Sequence, residues 1–309
     1  MEIAITGATG FIGKGLVHSL LENGHKVVVL SRDIERARSE FGDSVSVLRW
    51  AADNIPGLAS GLNGIDAIVN LAGENIGSSI WTKGKRARIL ESRLSAGKLL
   101  TDVIASMSRK PGLLIQASAV GYYGTREEEI LDETSAAGTG FLSDVVERWE
   151  NSTKGVESMG VRRVIIRTGV VFSSEGGALP KLAMPYKFLV GVVLGSGKQW
   201  LPWIHYSDEI EAINFLLTNP FSSGIYNLVS PNPARMEEVC KAISDTFRRP
   251  TLMKVPASML KLAMGKMAEE TILPSQHVIP SRLAAAGFAF RRAGLKTSIS
   301  QLYSPGERN

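Results

Sequence analysis

The sequence predicts an α/β fold, a doubly wound parallel sheet with a smaller C-terminal lobe. Three observations predict it. Short apolar runs recur at Glu2–Ile5, Lys26–Leu30, Ala67–Asn70, Leu113–Ala117 and Val164–Arg167, as strands buried on both faces require. Helix-spaced segments alternate with them, the order that builds a parallel sheet with crossover helices. A glycine-rich turn, Thr6–Gly13 (T-G-A-T-G-F-I-G), joins the first strand to the first helix. With 309 residues, 44% hydrophobic and 21% charged, the chain can bury a full core in one large or two modest domains.

The first strand and turn carry most of the functional reading. The helix behind them places Leu16, Val17, Leu20 and Leu21 at helical spacing and stops at Gly24. In that setting the glycines have a physical purpose. Gly7 and Gly10 carry no side chain, so the backbone can approach a pyrophosphate. Gly13 lets the helix pack closely on the sheet. The free N–H groups at the helix start then bind the anion. The turn predicts a Rossmann-type dinucleotide site, with Thr9, Phe11 and Ile12 as its other members. Its T-G-x-x-G-x-x-G spacing resembles the extended and atypical branches of the short-chain dehydrogenase/reductase superfamily.

The second strand ends in Leu30-Ser31-Arg32-Asp33. An NAD site places a carboxylate at this strand end for the adenosine ribose. Here Ser31 stands there, and Arg32 follows, able to fork onto a 2′-phosphate. Asp33 precedes Ile34-Glu35-Arg36-Ala37-Arg38 and reads as a helix N-cap. NADP(H) is therefore expected over NAD(H); the competing reading of Arg32 is a solvated surface charge.

Val45–Trp50 is a third strand, and Gly57–Gly64 reads as a glycine-rich loop. The fourth strand, Ala67–Asn70, runs into Leu71-Ala72-Gly73-Glu74-Asn75, a small-residue turn at the carboxyl end of a parallel strand. It resembles the N-x-A-G turn that borders the cofactor in the same superfamily. From Trp81 to Arg93 the chain is basic, with Lys83, Lys85, Arg86, Arg88 and Arg93. Most of these read as a solvated helix face. Arg93 is the one expected to reach a cofactor phosphate or an acidic substrate.

The fifth strand ends in Ser118-Ala119-Val120-Gly121-Tyr122-Tyr123-Gly124. In the extended branch, which this stretch resembles, a serine here holds the reacting carbonyl or hydroxyl, and Ser118 matches it. That branch also carries a Y-x-x-x-K dyad, the tyrosine as acid/base and the lysine as its activator. Leu142 and Val146 stand where the dyad is expected, and no Y-x-x-x-K occurs elsewhere. A tyrosine titrates near ~10 and is a weak base at neutral pH without a cation beside it. Tyr122 or Tyr123 with an arginine could replace the dyad; the other reading of both is loop packing. Ser118 and Tyr122 are the candidate catalytic residues.

After the sixth strand, Thr168-Gly169-Val170-Val171-Phe172 resembles the turn that in the extended branch carries the chain past the nicotinamide and into the substrate region, which implies Val170 beside the cofactor. Gly176-Gly177 is a turn before a short helix from Leu179, and Gly191–Gly197 reads as an irregular loop. Trp200 and Trp203 could wall a pocket. His205 reads as structural or crevice-lining rather than catalytic, and Asp208 as the cap of a helix over Glu209–Leu217. Gly224–Val229 is a strand, Met236–Phe247 a helix, and the tail from Lys254 a compact helical piece with one extended run at Phe288–Phe290. The expected division is 1–172, mainly the dinucleotide domain, and 173–309, a smaller substrate-side and C-terminal module, with about 200–230 returning to the sheet.

Over its whole length the chain resembles the epimerase family proteins of the atypical short-chain dehydrogenase/reductases, NAD-dependent epimerase/dehydratase-like with a C-terminal module of their own. The resemblance rests on Thr6–Gly13, Ser31-Arg32, Asn70–Asn75, Ser118–Gly124, Gly169–Phe172, Gly195–Asp208 and, most specifically, Val255–Phe290. It places Ser31, Arg32 and Glu74 at the NADP site and makes the missing dyad a family trait. The candidate cofactor residues are then Gly7, Thr9, Gly10, Phe11, Ile12, Gly13, Ser31, Arg32, Leu71, Ala72, Gly73, Glu74, Arg93 and Val170.

Composition narrows the rest. A single cysteine, Cys240, rules out an internal disulfide and fits a reducing compartment. With the first strand beginning at Glu2 and no apolar run of membrane-spanning length, a cytoplasmic protein without membrane partners is expected. The net charge of +5 comes with no nucleic-acid-binding motif, so no nucleic-acid partner is expected, and no metal-ligand spacing is present. Two readings of function remain: an NADP(H)-dependent oxidoreductase or nucleoside-diphosphate-sugar epimerase acting on a small substrate, and an NADP(H)-binding regulatory or interaction protein without turnover, for example in cell division.

Overall fold

The computed structural model describes residues 1–188 and 190–304. Its first half alternates β1 (Glu2–Thr6), α1 (Phe11–Glu22), β2 (Lys26–Ser31), α2 (Ile34–Phe41), β3 (Ser46–Arg49), α3 (Ile55–Gly61), β4 (Ala67–Asn70), α4 (Lys83–Ser106), β5 (Leu113–Ala119), the short β6 (Ile130–Leu131), α5 (Phe141–Asn151) and β7 (Arg162–Thr168). Then follow β8 (Val170–Phe172), α6 (Leu179–Lys187), β9 (Gly191–Leu194), β10 (Trp200–Leu201), β11 (Trp203–His205), α7 (Tyr206–Thr218), β12 (Gly224–Leu228), β13 (Ala234–Arg235), α8 (Met236–Phe247) and β14 (Thr251–Val255). The tail holds α9 (Ala257–Met264), α10 (Lys266–Thr271), β15 (His277–Val278), α11 (Ser281–Ala285) and α12 (Leu295–Tyr303).

Seven strands form one parallel sheet in the order β12-β7-β5-β4-β1-β2-β3. Order reverses between β1 and β4, so the connections from these two strands leave in opposite directions and open a crevice at their carboxyl ends. Alternation along each strand feeds two cores. Ile3, Ile5, Val27 and Val29 pack on the face covered by α1 and α7. Ala4, Val28, Leu30 and Ile68 pack on the face covered by α3 and α4. A third cluster, around Phe172, Tyr186, Trp203 and Ile243, is the core of the smaller lobe.

The structure corrects four local readings. Gly57–Gly64 is largely the helix α3, because Asn54 accepts the Gly57 N–H at 3.0 Å and Pro56 suits a first turn. Gly191–Leu194 is a strand, paired in parallel with β14. Phe288–Phe290 form no strand; Phe288 packs edge-on against Phe215 at 5.6 Å and Phe290 at 4.8 Å, seating the tail on α7. Trp203 walls no pocket: it is fully buried, stacked on Phe172 at 5.4 Å, while Trp200 stacks on His277 at 4.0 Å.

The tail clasps the loop that follows β5. Gln276 Nε2 donates to the Val120 and Gly124 carbonyls at 3.0 and 2.8 Å, and β15 pairs with β6. Glu270 accepts the N–H groups of Phe141 and Leu142 at 3.0 and 3.1 Å, a carboxylate from the tail set on the start of α5. Among the described residues no helix is long and apolar enough to cross a membrane.

Candidate functional site

The crevice at the switch between β1 and β4 is a cleft of about 650 Å³. Its floor is the turn Gly7–Gly10, one wall is Leu71–Glu74, and its far end is built from Leu30–Asp33, Arg36 and Arg49–Ala52. The glycines divide the labour. Gly7 has φ +70°, and a Cβ there would lie 2.7 Å from the Leu71 carbonyl oxygen. A Cβ on Gly13 would lie 2.3 Å from the Gly7 oxygen, so the contact that demands glycine is with the turn itself rather than with the sheet. Gly10 differs. Its φ of −82° suits any residue, and a Cβ would meet protein only at the Gly7 oxygen, 3.0 Å away. The remaining space beside it is cleft, a cradle that a side chain would fill. Gly10 caps α1 without a side-chain hydrogen bond, and no acidic residue stands in the first turn. The N–H groups there are free for an anion.

Thr9 lines the cleft; Phe11, Ile12 and Gly13 stand behind it as the helix start. The Phe11 ring lies 4.9 Å from that of Tyr206, whose hydroxyl donates to the Phe11 carbonyl at 3.1 Å. Gly176 passes so close that a Cβ would sit 2.6 Å from the Phe11 ring. Val170 does not line this cleft: its N–H donates to Pro202 at 2.7 Å, and its side chain packs on the smaller lobe.

At the far end, Ser31 exchanges hydrogen bonds with the Asp33 backbone, 2.8 Å to its carbonyl and 3.1 Å from its N–H. Asp33 caps α2 by accepting the Arg36 N–H at 3.0 Å. Its carboxylate therefore serves the helix, and the arginines face the cleft without an acid at the strand end.

Glu74 lines the near end. Lys85, only 2% exposed, donates to its carboxylate at 2.6 Å and to Ser78 at 2.7 Å. That hydrogen bond holds the Glu74 carboxyl below its ordinary pKa, against the opposing effect of burial. Lys85 is thus no member of a solvated face. Arg93 does not reach into the cleft. Its guanidinium donates to the Glu74 and Ile89 carbonyls at 3.1 and 3.0 Å, crosses the Trp149 ring at 4.7 Å, and rests where a Gly73 side chain would be. Burial lowers its pKa to about 10, with Glu74 opposing.

The chemical end looks different. Ser118 is 4% exposed and donates to Glu150 at 2.5 Å. Glu150 is gripped by both arms of Arg167, at 2.8 and 2.9 Å. Arg167 also donates to the Tyr123 hydroxyl at 3.1 Å, and that hydroxyl donates to Asn227 at 2.7 Å. Burial works against the Arg167 charge, but the fork on Glu150 outweighs it and raises the pKa. Burial pushes Tyr123 up to about 12, against Arg167 and Asn227. The Ser118 hydroxyl is committed inside this knot rather than presented to a substrate. Tyr122 is half-buried with Arg167 over its ring at 3.4 Å, and its hydroxyl makes no hydrogen bond among the described residues. Leu142 and Val146 pack beneath Gly121, where a Cβ would meet them at 3.4 and 3.9 Å.

Comparison with known proteins accords with this geometry. The family model described as NAD dependent epimerase/dehydratase family matches residues 3–228. The chain belongs to this family. A second model, a domain of unknown function (DUF1731), matches residues 255–302. The epimerase family protein YfhF of Bacillus subtilis is 38% identical over 303 residues, covering 98% of each chain. A chloroplastic epimerase family protein of Arabidopsis thaliana is 35% identical, covering 97% of this chain and 86% of its own. The crystal structure of human epimerase family protein SDR39U1 with NADPH superposes with a TM-score of 0.88 at 29% identity, over 98% of this chain and 99% of that one.

In this epimerase-family chain one turn of helix ties the parts together. His205, not Asp208, caps α7, its Nδ1 accepting the Ser207 N–H at 3.1 Å; burial, then Arg292, lowers its pKa to about 4. Asp208 is inside the helix and accepts the Arg291 and Arg292 N–H groups at 3.1 and 3.0 Å. Glu209 is fully buried, accepts from Thr168 at 2.8 Å, and is pushed up by burial to about 8. Sequence reasoning also does not single out Arg36, Arg49, Lys85, Glu150 or Arg167. The signal for the last was present: an arginine closing the otherwise apolar run Val164–Ile166 in a central strand needs a buried partner.

Proposed function

We propose that this chain binds NADP(H) in the cleft between β1 and β4 and that Arg32 selects it over NAD(H). One observation carries the reading: Arg32 lines the cleft at the end of β2, and the nearby Asp33 carboxylate is engaged in capping α2. The human relative solved with NADPH supports it. When bound, NADP(H) supplies or accepts a hydride. The chain's own residues would hold it: α1's free N–H groups would take the pyrophosphate, and the arginine end the adenosine side. A charge-assisted hydrogen bond contributes roughly 1.5–3 kcal/mol, and tenfold in affinity is about 1.4 kcal/mol. Arg32→Ala is therefore expected to weaken NADPH roughly tenfold to a hundredfold and leave NADH within about twofold. Side-by-side calorimetric titration of both cofactors checks this. Equal affinity of the unaltered protein for the two would show Arg32 turned to solvent.

On that cofactor, the activity proposed is oxidation–reduction or epimerisation of a small substrate. A second reading, a cofactor-binding regulatory or interaction protein, is favoured by one feature: the Ser118–Glu150–Arg167 knot is closed on itself, with Leu142 and Val146 in the dyad positions. Oxidation of NADPH across a panel of carbonyls and sugar nucleotides separates the two. If turnover is found, Tyr122→Phe is expected to lower it with NADPH affinity unchanged. An unchanged rate removes Tyr122 from the mechanism.

A further inference from the structure

We propose that Arg49, at the end of β3, is a second arm for the 2′-phosphate of NADP(H), and that its ion pair with Asp53 sets how tightly that phosphate is held. The inference rests on the NADP(H) reading above and adds residues that neither motif nor strand-end rule assigns.

The sheet brings Arg49 to the place. β2 and β3 pair in parallel with Ser31 opposite Arg49, and the next residue, Trp50, donates its N–H to the Ser31 carbonyl at 2.9 Å. Arg49 therefore stands level with Ser31, one residue short of Arg32, and both arginines line the same end of the cleft, with Arg36 in the first turn of α2. The charge balance there is lopsided. Two acids line the cleft, Asp33 and Glu74, and both are engaged, one by the Arg36 N–H and one by buried Lys85. Arg32 and Arg36 make no ion pair among the described residues. An end with three guanidinium groups and no unengaged carboxylate fits a ligand of about two negative charges better than it fits a pair of ribose hydroxyls.

Arg49 is not idle. Its Nη2 lies 3.1 Å from Asp53 Oδ2, with the two side chains 61% and 59% exposed. Asp53 sits in the turn Ala52–Asn54, directly after the Arg49–Ala52 stretch of the cleft wall, and does not itself line the cleft. A pair this exposed is weak, so a phosphate can take the guanidinium from it. The exchange couples the two: whatever Asp53 contributes to holding Arg49 is subtracted from phosphate binding.

The test is a double-mutant cycle on the full chain, with NADPH and NADH titrated at low salt. Arg49→Gln keeps the side-chain stem and removes the charge. It is expected to weaken NADPH by roughly five- to twentyfold and NADH by less than about twofold. Asp53→Asn is expected to strengthen NADPH by about two- to fivefold, because an exposed pair no longer competes. In the Arg49→Gln background, Asp53→Asn is expected to do nothing. Unchanged NADPH affinity in Arg49→Gln, or an Asp53→Asn gain that survives without Arg49, overturns the proposal. If Arg32→Ala loses NADPH while Arg49→Gln does not, this inference alone falls. If the unaltered protein does not prefer NADPH, the cofactor reading falls and takes this one with it.

Discussion

Two regions share the carboxyl edge of one sheet and are built on opposite plans. Around Gly7–Gly10 and Arg32, backbone donors at the helix start lack side-chain partners and the arginines stand beside open space. Around Arg167, buried polar groups answer one another in a chain: Ser118 to Glu150, Glu150 to Arg167, Arg167 to Tyr123, Tyr123 to Asn227. The first arrangement has the donors and the space that suit an anion. The second is a closed polar knot, whose low-dielectric setting makes every bond strong and every missing partner costly. The cleft end is open and the Arg167 end is closed on itself, so the two ends of one sheet edge are built independently of each other.

The largest test of that contrast is Glu150→Ala. Removing one member of a buried pair leaves Arg167 charged and unanswered, which costs about 3–5 kcal/mol. The urea midpoint is expected to fall accordingly, while NADPH affinity of the folded protein holds. A loss below about 1 kcal/mol would mean that the knot is open to water. Next is Gly10→Val. The φ there suits any residue and a Cβ meets protein only at the Gly7 oxygen, 3.0 Å away, so a modest fall in melting temperature is expected, but the side chain fills the cradle, and dinucleotide affinity is expected to fall at least about a hundredfold, or roughly 2.7 kcal/mol. Retained affinity in a folded variant would move the cofactor out of this cleft. Gly13→Ala is the control in the other direction, since its Cβ would collide with the turn.

The effect that is smallest per step, one pH unit at a time, is at Glu209. Its folded pKa, raised by burial from 4.5 to about 8, means that the folded state holds a proton the unfolded state releases. The contribution is complete below the unfolded value and is lost as pH rises through the folded one, by at most about 1.4 kcal/mol per pH unit. Denaturation of Glu209→Gln and the unaltered protein across pH 5–9 is expected to diverge in that sense. Parallel curves would show that the carboxyl is solvated.

What the sequence shows and hides follows the same contrast. The cradle is legible because close approach leaves glycine, a residue type with a narrow meaning, and because Asp33 reads directly as a cap. Arg36 and Arg49 are not, since a guanidinium facing a cleft and one facing water are written with the same letter; only the register of Ser31 against Arg49 tells them apart. Lys85 hides for a related reason, as one cation among five in a basic stretch, although it is 2% exposed. The knot joins positions 118, 123, 150, 167 and 227, and no local period links residues so far apart. Asp208 misled because the cap rule favours aspartate, whereas the imidazole of His205 supplies the acceptor three residues earlier.

The grip of the tail on the β5 loop has a consequence for descent. Glu270 rests against Gly140 so closely that a Cβ there would lie 3.0 Å from both carboxylate oxygens. Gln276 answers carbonyls on either side of Tyr122, and Glu133 accepts N–H groups from both β12 and Arg282. Two family models part the chain between residues 228 and 255, yet neither part is complete at its border. Recombination that exchanged the C-terminal piece would have to bring residues 120–142 along with it. The two segments are therefore expected to travel through evolution as a single heritable unit, and a graft from a relative to succeed only when both are moved together.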